Sequence, residues 1–377
     1  MLLTSSCEPI TAARRGSAPR EWYQTQTGHA AAQPAIAGDL VFVGTGDGHV
    51  VARDRDSGAQ RWAARVGTAR IEGANLVARS GVVVAPVLFH TAGLDAATGA
   101  ELWRYRAPAD TVDGGQPNPG SVGSAHVDAD DSTAYVPAWG GTIAAVALRS
   151  GELRWRWQPE PGIPHRFGAQ GVRVSEGTVY ATVWHFLNAR GTACEGWVVA
   201  LDARTGRERW RTVLPTPSSA VCIPGRPALA SGRVFAMLIT GELFALDQST
   251  GKVAWSVPRE RGVFNSVIAG PASVDGVVYA DAGTHHLRAF DANTGRMLWR
   301  APYAGQFKHD LLVTDRRIYG PDGSELYVFD RRTGVVRKVL EQPRQKPSFS
   351  LFSATPASAD GQVIVPVNGG VWAFPER

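Results

Sequence analysis

The sequence predicts an all-β fold: an eight-bladed β-propeller of four-stranded antiparallel blades spanning residues 21–377, preceded by an N-terminal tail at 1–20. Three observations point to it. A turn motif recurs at blade-like intervals, a three-strand pattern stands ahead of each copy, and the two ends of the chain hold complementary parts of one blade.

The motif is a small or aliphatic residue, Asp, two variable residues, Thr or Ser, Gly, three more residues and Trp. Complete copies are Asp54-Ser57-Gly58-Trp62, Asp95-Thr98-Gly99-Trp103, Asp202-Thr205-Gly206-Trp210, Asp247-Thr250-Gly251-Trp255 and Asp291-Thr294-Gly295-Trp299. In two degenerate copies Ala147 replaces the Asp before Ser150-Gly151-Trp155, and Lys338 replaces the Trp after Asp330-Thr333-Gly334. Gly-to-Gly spacings of 39 to 55 residues fit one blade plus its loops. The Asp carboxylate can accept backbone N–H groups in the turn, and the Thr or Ser hydroxyl can do so more weakly. The Gly supplies the positive φ of a bulged hairpin loop. The Trp falls on the outer strand, where it can pack over the next blade. Burying it removes about 150–250 Å² from water, at most roughly 4–6 kcal/mol of transfer energy.

Residues 271–291 show the pattern ahead of each motif. Pro271-Ala272 leads to a turn at Asp275-Gly276, an apolar run at 277–280, a turn near Gly283 and a run at 287–290. Segments starting Pro34-Ala35, Pro227-Ala228 and Pro356-Ala357 repeat it, and three strands plus the Trp strand make a blade. The last segment, Asn368 to Phe374, stops where an Asp turn should begin, while Glu21-Trp22-Tyr23 has no blade before it. The N-terminal strand is therefore expected to complete the last blade and close the ring, which removes exposed sheet edges. Fourth strands at Trp22, Trp62, Trp103, Trp155, Trp210, Trp255, Trp299 and Lys338 count eight blades.

These residues resemble the PQQ-like (pyrroloquinoline quinone) repeat propellers, over residues 21–377 and with five full motif copies. The resemblance implies one of two kinds of protein. Quinoprotein dehydrogenases hold PQQ and calcium at the propeller axis; the smaller BamB-like outer-membrane assembly lipoproteins bind protein partners and carry no cofactor. The chain lacks the adjacent Cys pair of the dehydrogenases and any Cys-x-x-Cys-His haem motif, and so is most similar to the BamB-like branch.

Composition narrows the function classes. A single core rarely grows past about 250–300 residues, but repeats escape that limit because each unit buries its face on a neighbour. At 44% hydrophobic and 19% charged, the 377-residue chain is far from the disordered regime. The net charge of +5 comes from scattered residues, with 35 Arg to 4 Lys and no basic block, so no nucleic-acid partner is expected. No apolar stretch reaches the length of a membrane-spanning helix. Leu2 to Cys7 resembles a bacterial lipoprotein cleavage site, with Thr4 where an aliphatic residue is usual. Cys7 is then either a lipidation site, tethering the protein to a membrane, or an incidental residue of the tail.

Loops between blades and loops between second and third strands share one propeller face, around the mouth of the axis. His29, Arg70, Glu72, His165, Arg166, Asn265, Lys308, His309 and Asp310 fall in the inter-blade loops and form the candidate ligand or partner-binding set. No metal site is expected. His285 and His286 are neighbours on a strand and point to opposite faces, and Asp128 to Asp131 fall where other blades turn. Gly44 to Gly48 has no helix after it and does not read as a phosphate loop. Cys194, in the enlarged loop at 186–196, and Cys222, in the connection to the next blade, lie near one blade boundary and are expected to form a disulfide in an oxidising compartment. The irregular connection from Ala107 to Ser124 is the candidate partner-contacting flap.

The expectation is a non-catalytic, monomeric, periplasmic or otherwise extracytoplasmic scaffold that binds envelope proteins through one propeller face. It has no catalytic residues and no cofactor. The alternatives are a PQQ- and calcium-dependent oxidoreductase and a ligand- or glycan-sensing propeller.

Overall fold

The computed structural model describes residues 19–25, 32–68, 75–87, 90–107, 110–112, 116–118, 126–138, 140–160, 167–188, 193–215, 222–223, 225–260, 269–281, 283–322, 325–340 and 352–376. They contain strands and turns and no helix. Eight four-stranded antiparallel sheets follow one another, each in simple up-and-down order. Blade 1 is Ala35–Ala37, Leu40–Gly44, His49–Asp54 and Gln60–Arg65. Blades 2 to 7 repeat it, and blade 8 takes three strands from Ala357–Ala359, Gln362–Val367 and Gly370–Pro375. Its outer strand is Trp22–Thr25, paired antiparallel with Trp22 opposite Ala373. First strands touch the first strands of neighbouring blades, so they line the axis and the Trp strands form the rim.

The motif works as one joint between blades. Each motif Trp donates its indole N–H to the carbonyl just after the Asp position of the next blade: Trp22 to Arg55, Trp62 to Ala96, Trp103 to Leu148, Trp155 to Ala203, Trp210 to Gln248, Trp255 to Ala292 and Trp299 to Arg331, at 2.7–3.2 Å. The ring lies on the next blade's motif glycine. A Cβ at Gly58, Gly99, Gly151, Gly206, Gly251, Gly295 or Gly334 would sit 2.7 Å or closer to the previous blade's Trp. All seven glycines have φ between +69° and +77°, so two independent constraints select Gly. The Trp also needs a small residue opposite it in its own sheet. Ala52, Gly93, Ala145, Ala200, Ala245, Ala289 and Ala373 occupy that place.

In the turn, the Asp carboxylate accepts the amide and hydroxyl of the Thr or Ser three residues on, as Asp95 does from Thr98 at 2.9 and 2.8 Å. The motif turn is also tied to the first hairpin turn of its own blade, as in Arg55 N–H to Asp39 O and Ala203 N–H to Gly177 O. Both turns therefore lie on one face. The loops between second and third strands and those between blades lie on the other.

Two expectations change in detail. The connection from Ala107 to Ser124 is not wholly irregular, because Asp110–Val112 pairs with Gln116–Asn118 as a short hairpin. In blade 4 the first three strands lengthen to nine residues each, Phe167–Ser175, Thr178–Phe186 and Cys194–Asp202, so Cys194 opens a strand instead of lying in a loop. First strands elsewhere have two or three residues. At about 3.3 Å per residue, blade 4 rises on the inter-blade-loop face, where Cys194 is bonded to Cys222 with Cα atoms 5.3 Å apart.

Candidate functional site

Two residues ahead of the first strand-to-strand pairing stands one residue in seven of the blades, and in blade 4 Gly171, paired with Thr182 inside the lengthened first strand, takes the same place. In order these are Gln33, Asn75, His126, Gly171, Arg226, Gly270, Asp310 and Thr355. They form a belt around the axis, stitched across blade boundaries. Leu76 N–H donates to Gln33 O, the Asn75 amide to Val127 O, and Val172 N–H to His126 O. The Thr182 hydroxyl donates to Gly225 O, and the Gln33 amide reaches Pro356 O.

The belt side chains close the axis. Asp310 accepts Gly270 N–H at 2.7 Å, and its other oxygen lies 3.2 Å from Arg226 Nε and 3.9 Å from His126 Nε2. Arg226 also donates to Gln33 Oε1 at 3.0 Å. The two glycines make room: a Cβ at Gly171 would press on Arg226 and His126, and one at Gly270 on the Arg226 carbonyl. Burial pushes the Arg226 guanidinium down to about 10, with Arg173 adding repulsion, so it stays charged at neutral pH. Burial likewise lowers His126, which is neutral there. Burial opposes ionisation of Asp310, but His126, Arg226 and the Gly270 amide outweigh it and hold the carboxyl below its ordinary range. The His126 Nδ1 atom is buried without a hydrogen-bond partner among the described residues, a costly state in a polar interior.

On the motif-turn side of the belt the axis opens into a cavity of about 430 Å³. Its walls are the first strands of blades 4 to 7, including Arg173, Ser175, Leu229, Val274 and Val313, and its roof is Gln33, Arg226 and Asp310. Of the sequence-predicted set, Asp310 lies in the inter-blade connection just ahead of Leu312–Val313 and belongs to this belt, and His309 is half-buried beside it. Lys308 is exposed and donates to Gln306 Oε1. His29, Arg70, Glu72, His165, Arg166, Asn265 and Cys7 lie outside the described residues.

Sequence reading missed Gln33, His126 and Arg226, although a signal existed. Gln33, Arg226, Gly270 and Thr355 each stand directly before the Pro-Ala that opens a blade. On the other face the raised part of blade 4 carries Phe167 stacked on His185 at 4.2 Å, His185 paired with Glu195 at 3.1 Å, and Arg211 over the Trp197 ring at 4.8 Å.

Fold and site together define an eight-bladed propeller of PQQ-like repeats with a polar, closed axis. A family profile described as outer membrane protein assembly factor BamB matches residues 10–158, 139–273 and 240–374, and the chain belongs to that family. It is similar to the outer membrane protein assembly factor BamB of Burkholderia pseudomallei, 27% identical over 239 residues, covering 60% of this chain and 55% of that one. The chain thus spans a little over half the length of that relative. The quinohemoprotein alcohol dehydrogenase ADH IIB of Pseudomonas putida is 31% identical over 131 residues, 33% of this chain and 18% of the relative. Among solved structures, BamB from Moraxella catarrhalis superposes with a TM-score of 0.59 at 18% identity, covering 78% of this chain and 82% of that one. The quinohemoprotein alcohol dehydrogenase of Comamonas testosteroni gives 0.68 at 14%, covering 96% and 76%. At those identities the structures share the fold.

A calcium-bound quinone needs several oxygen donors on one cation. The described axial residues do not fit that requirement: the belt carboxylate, Asp310, faces Arg226 and His126, and no group of three His, Cys, Asp or Glu is placed to hold a metal among the described residues.

Proposed function

We propose that this propeller is a non-catalytic envelope scaffold that binds protein partners through its inter-blade-loop face, in outer-membrane protein assembly. The observation that carries the reading is the match to the BamB family over nearly the whole chain. The lengthened, disulfide-stapled blade 4 supports the choice of face, because it carries an exposed Leu187 just past the end of its nine-residue second strand. Lys308 and the loop residues His29, Arg70, Glu72, His165, Arg166 and Asn265 are the proposed polar contacts around it. The disulfide fits an extracytoplasmic compartment, and Cys7 is the proposed lipid tether.

Deleting the gene in its own cell tests the reading. The amount of folded outer-membrane β-barrel protein should fall and recover with the wild-type chain. Barrel levels that do not change would contradict it.

A second reading, a quinone-dependent oxidoreductase, draws on the dehydrogenase relatives. Titrating the protein with PQQ and calcium separates the two. The scaffold reading expects no heat and no spectral change, whereas stoichiometric binding would favour the oxidoreductase.

A further inference from the structure

The axial cavity lies on the face opposite the one just described, and one of its two cations has no direct partner among the described residues. Two guanidinium groups line it, Arg226 and Arg173. Arg226 is held by Asp310 and Gln33. Arg173 makes no hydrogen bond or ion pair with any described residue, although it stands on the first strand of blade 4 beside the axis and is only half-exposed.

The nearby carboxylates are already engaged. Asp310 takes the Gly270 amide and faces Arg226, and Asp128 accepts the amides of Ala129 and Val174. Arg173 feels the Asp310 carboxylate but pairs directly with no described carboxylate, and so presents a planar, permanently charged fork to a half-open cavity. Beside it the Ser175 side chain lines the cavity and also makes no hydrogen bond with a described residue. The lining is more polar than apolar: Gln33, Ser273 and Asp310 share it with Leu229, Val274 and Val313.

We infer that this cavity is a binding site for a small carboxylate, gripped by Arg173 with Ser175 as second donor. One free guanidinium matches one carboxylate, and bidentate pairing supplies direction as well as charge. A volume of about 430 Å³ falls in the range of small-molecule pockets, and the polar lining suits a ligand with little apolar surface. The Asp310–Arg226 pair forms the roof and stays closed, so the ligand enters from the face of the motif turns. The same chemistry could come from a free short-chain acid or from an acidic side chain on a partner loop. The inference is independent of the scaffold reading, which concerns the other face.

Isothermal titration of the full chain with butyrate, succinate and a short peptide containing Glu tests it, with Arg173→Gln and Arg204→Gln run in parallel. Arg204 is exposed on the same face but outside the axis. The expected result is saturable 1:1 binding of at least one probe, weakened tenfold or more by Arg173→Gln and unchanged by Arg204→Gln. Arg173→Lys, which keeps the charge without the fork, should fall between. Because Arg173 holds no neighbour in place, the thermal midpoint of Arg173→Gln without ligand should match the wild type, so that lost binding is not lost folding. Binding of butyrate or succinate identifies a free acid as the occupant, and binding of the peptide alone a partner's side chain. No saturable binding of any probe, or equal binding by Arg173→Gln, would overturn the inference.

Discussion

At the scale of single residues, the motif is a lock between a Trp and the next blade's glycine. Gly99 has φ +77°, and a Cβ there would lie 2.6 Å from the Trp62 ring, whereas Gly177 has φ +69° with nothing within 4 Å. The left-handed backbone costs a non-glycine residue about 1–3 kcal/mol, and overpacking adds about 1–3. Gly99→Ala should therefore destabilise by about 2–6 kcal/mol in urea unfolding, and Gly177→Ala by the backbone part alone. Equal losses would show that the Trp does not constrain the glycine. Trp103→Phe should cost about 1–3 kcal/mol for the orphaned Leu148 carbonyl, which accepts its indole N–H at 2.7 Å in a buried site. The motif was legible from sequence because its spacing within each copy is fixed. The second reason for the glycine was not, since it comes from a residue about 37 positions earlier, as in Gly99 and Trp62. Lys338 looked like simple decay of the motif. The structure places Val328 opposite it, and the following blade is built from two chain segments with no Asp-Gly turn between its last two strands. Where no turn receives a Trp, none is kept, and the small residue that would make room for it is absent too.

At the scale of elements, the N-terminal strand and blade 4 depart most from the repeat. Trp22–Thr25 closes the ring by four residue pairs and one indole hydrogen bond to blade 1. Removing residues 1–25 should expose the outer edge of Gly370–Pro375, lower the thermal midpoint and promote self-association. An unchanged midpoint in calorimetry would refute ring closure as a source of stability. The order of strands was readable from the two chain ends because a missing strand and a surplus one are both visible in a repeat. The height of blade 4 was not, because its added residues look like loop until their pairing is seen. The disulfide joins cysteines 28 residues apart, and on chain-entropy grounds it contributes up to about 3–4 kcal/mol. Double replacement of Cys194 and Cys222 by Ser should speed amide exchange in blades 4 and 5 and leave blades 1 and 8 unaffected.

At the scale of the whole molecule, acid should act in two stages. Burial depresses His126 and His309, so their contribution to stability is present above their unfolded value near 6.5 and is lost as the pH falls below it. The motif carboxylates follow. The hydroxyl of Ser57 on Asp54 and that of Ser249 on Asp247 lead the interactions that lower each to about 2. Their stabilisation holds above the unfolded value of 3.8 and is lost as the pH falls towards 2. Trp fluorescence against pH should show a change below 6.5, then a collapse below 4; a single transition would count against the axial histidine. The axial belt escaped sequence reading because its members share a position, not a residue type, and Gln, Asn, His, Gly, Arg, Asp and Thr all occur there.

The central claim is that protein partners dock on the inter-blade-loop face. Photo-crosslinking amino acids placed in living cells at Leu187 and Lys308 on that face, and at Arg204 on the opposite one, test it most directly. The account predicts adducts with outer-membrane assembly components from Leu187 and Lys308 and none from Arg204. Adducts from Arg204 alone, or none from the other two, would contradict it.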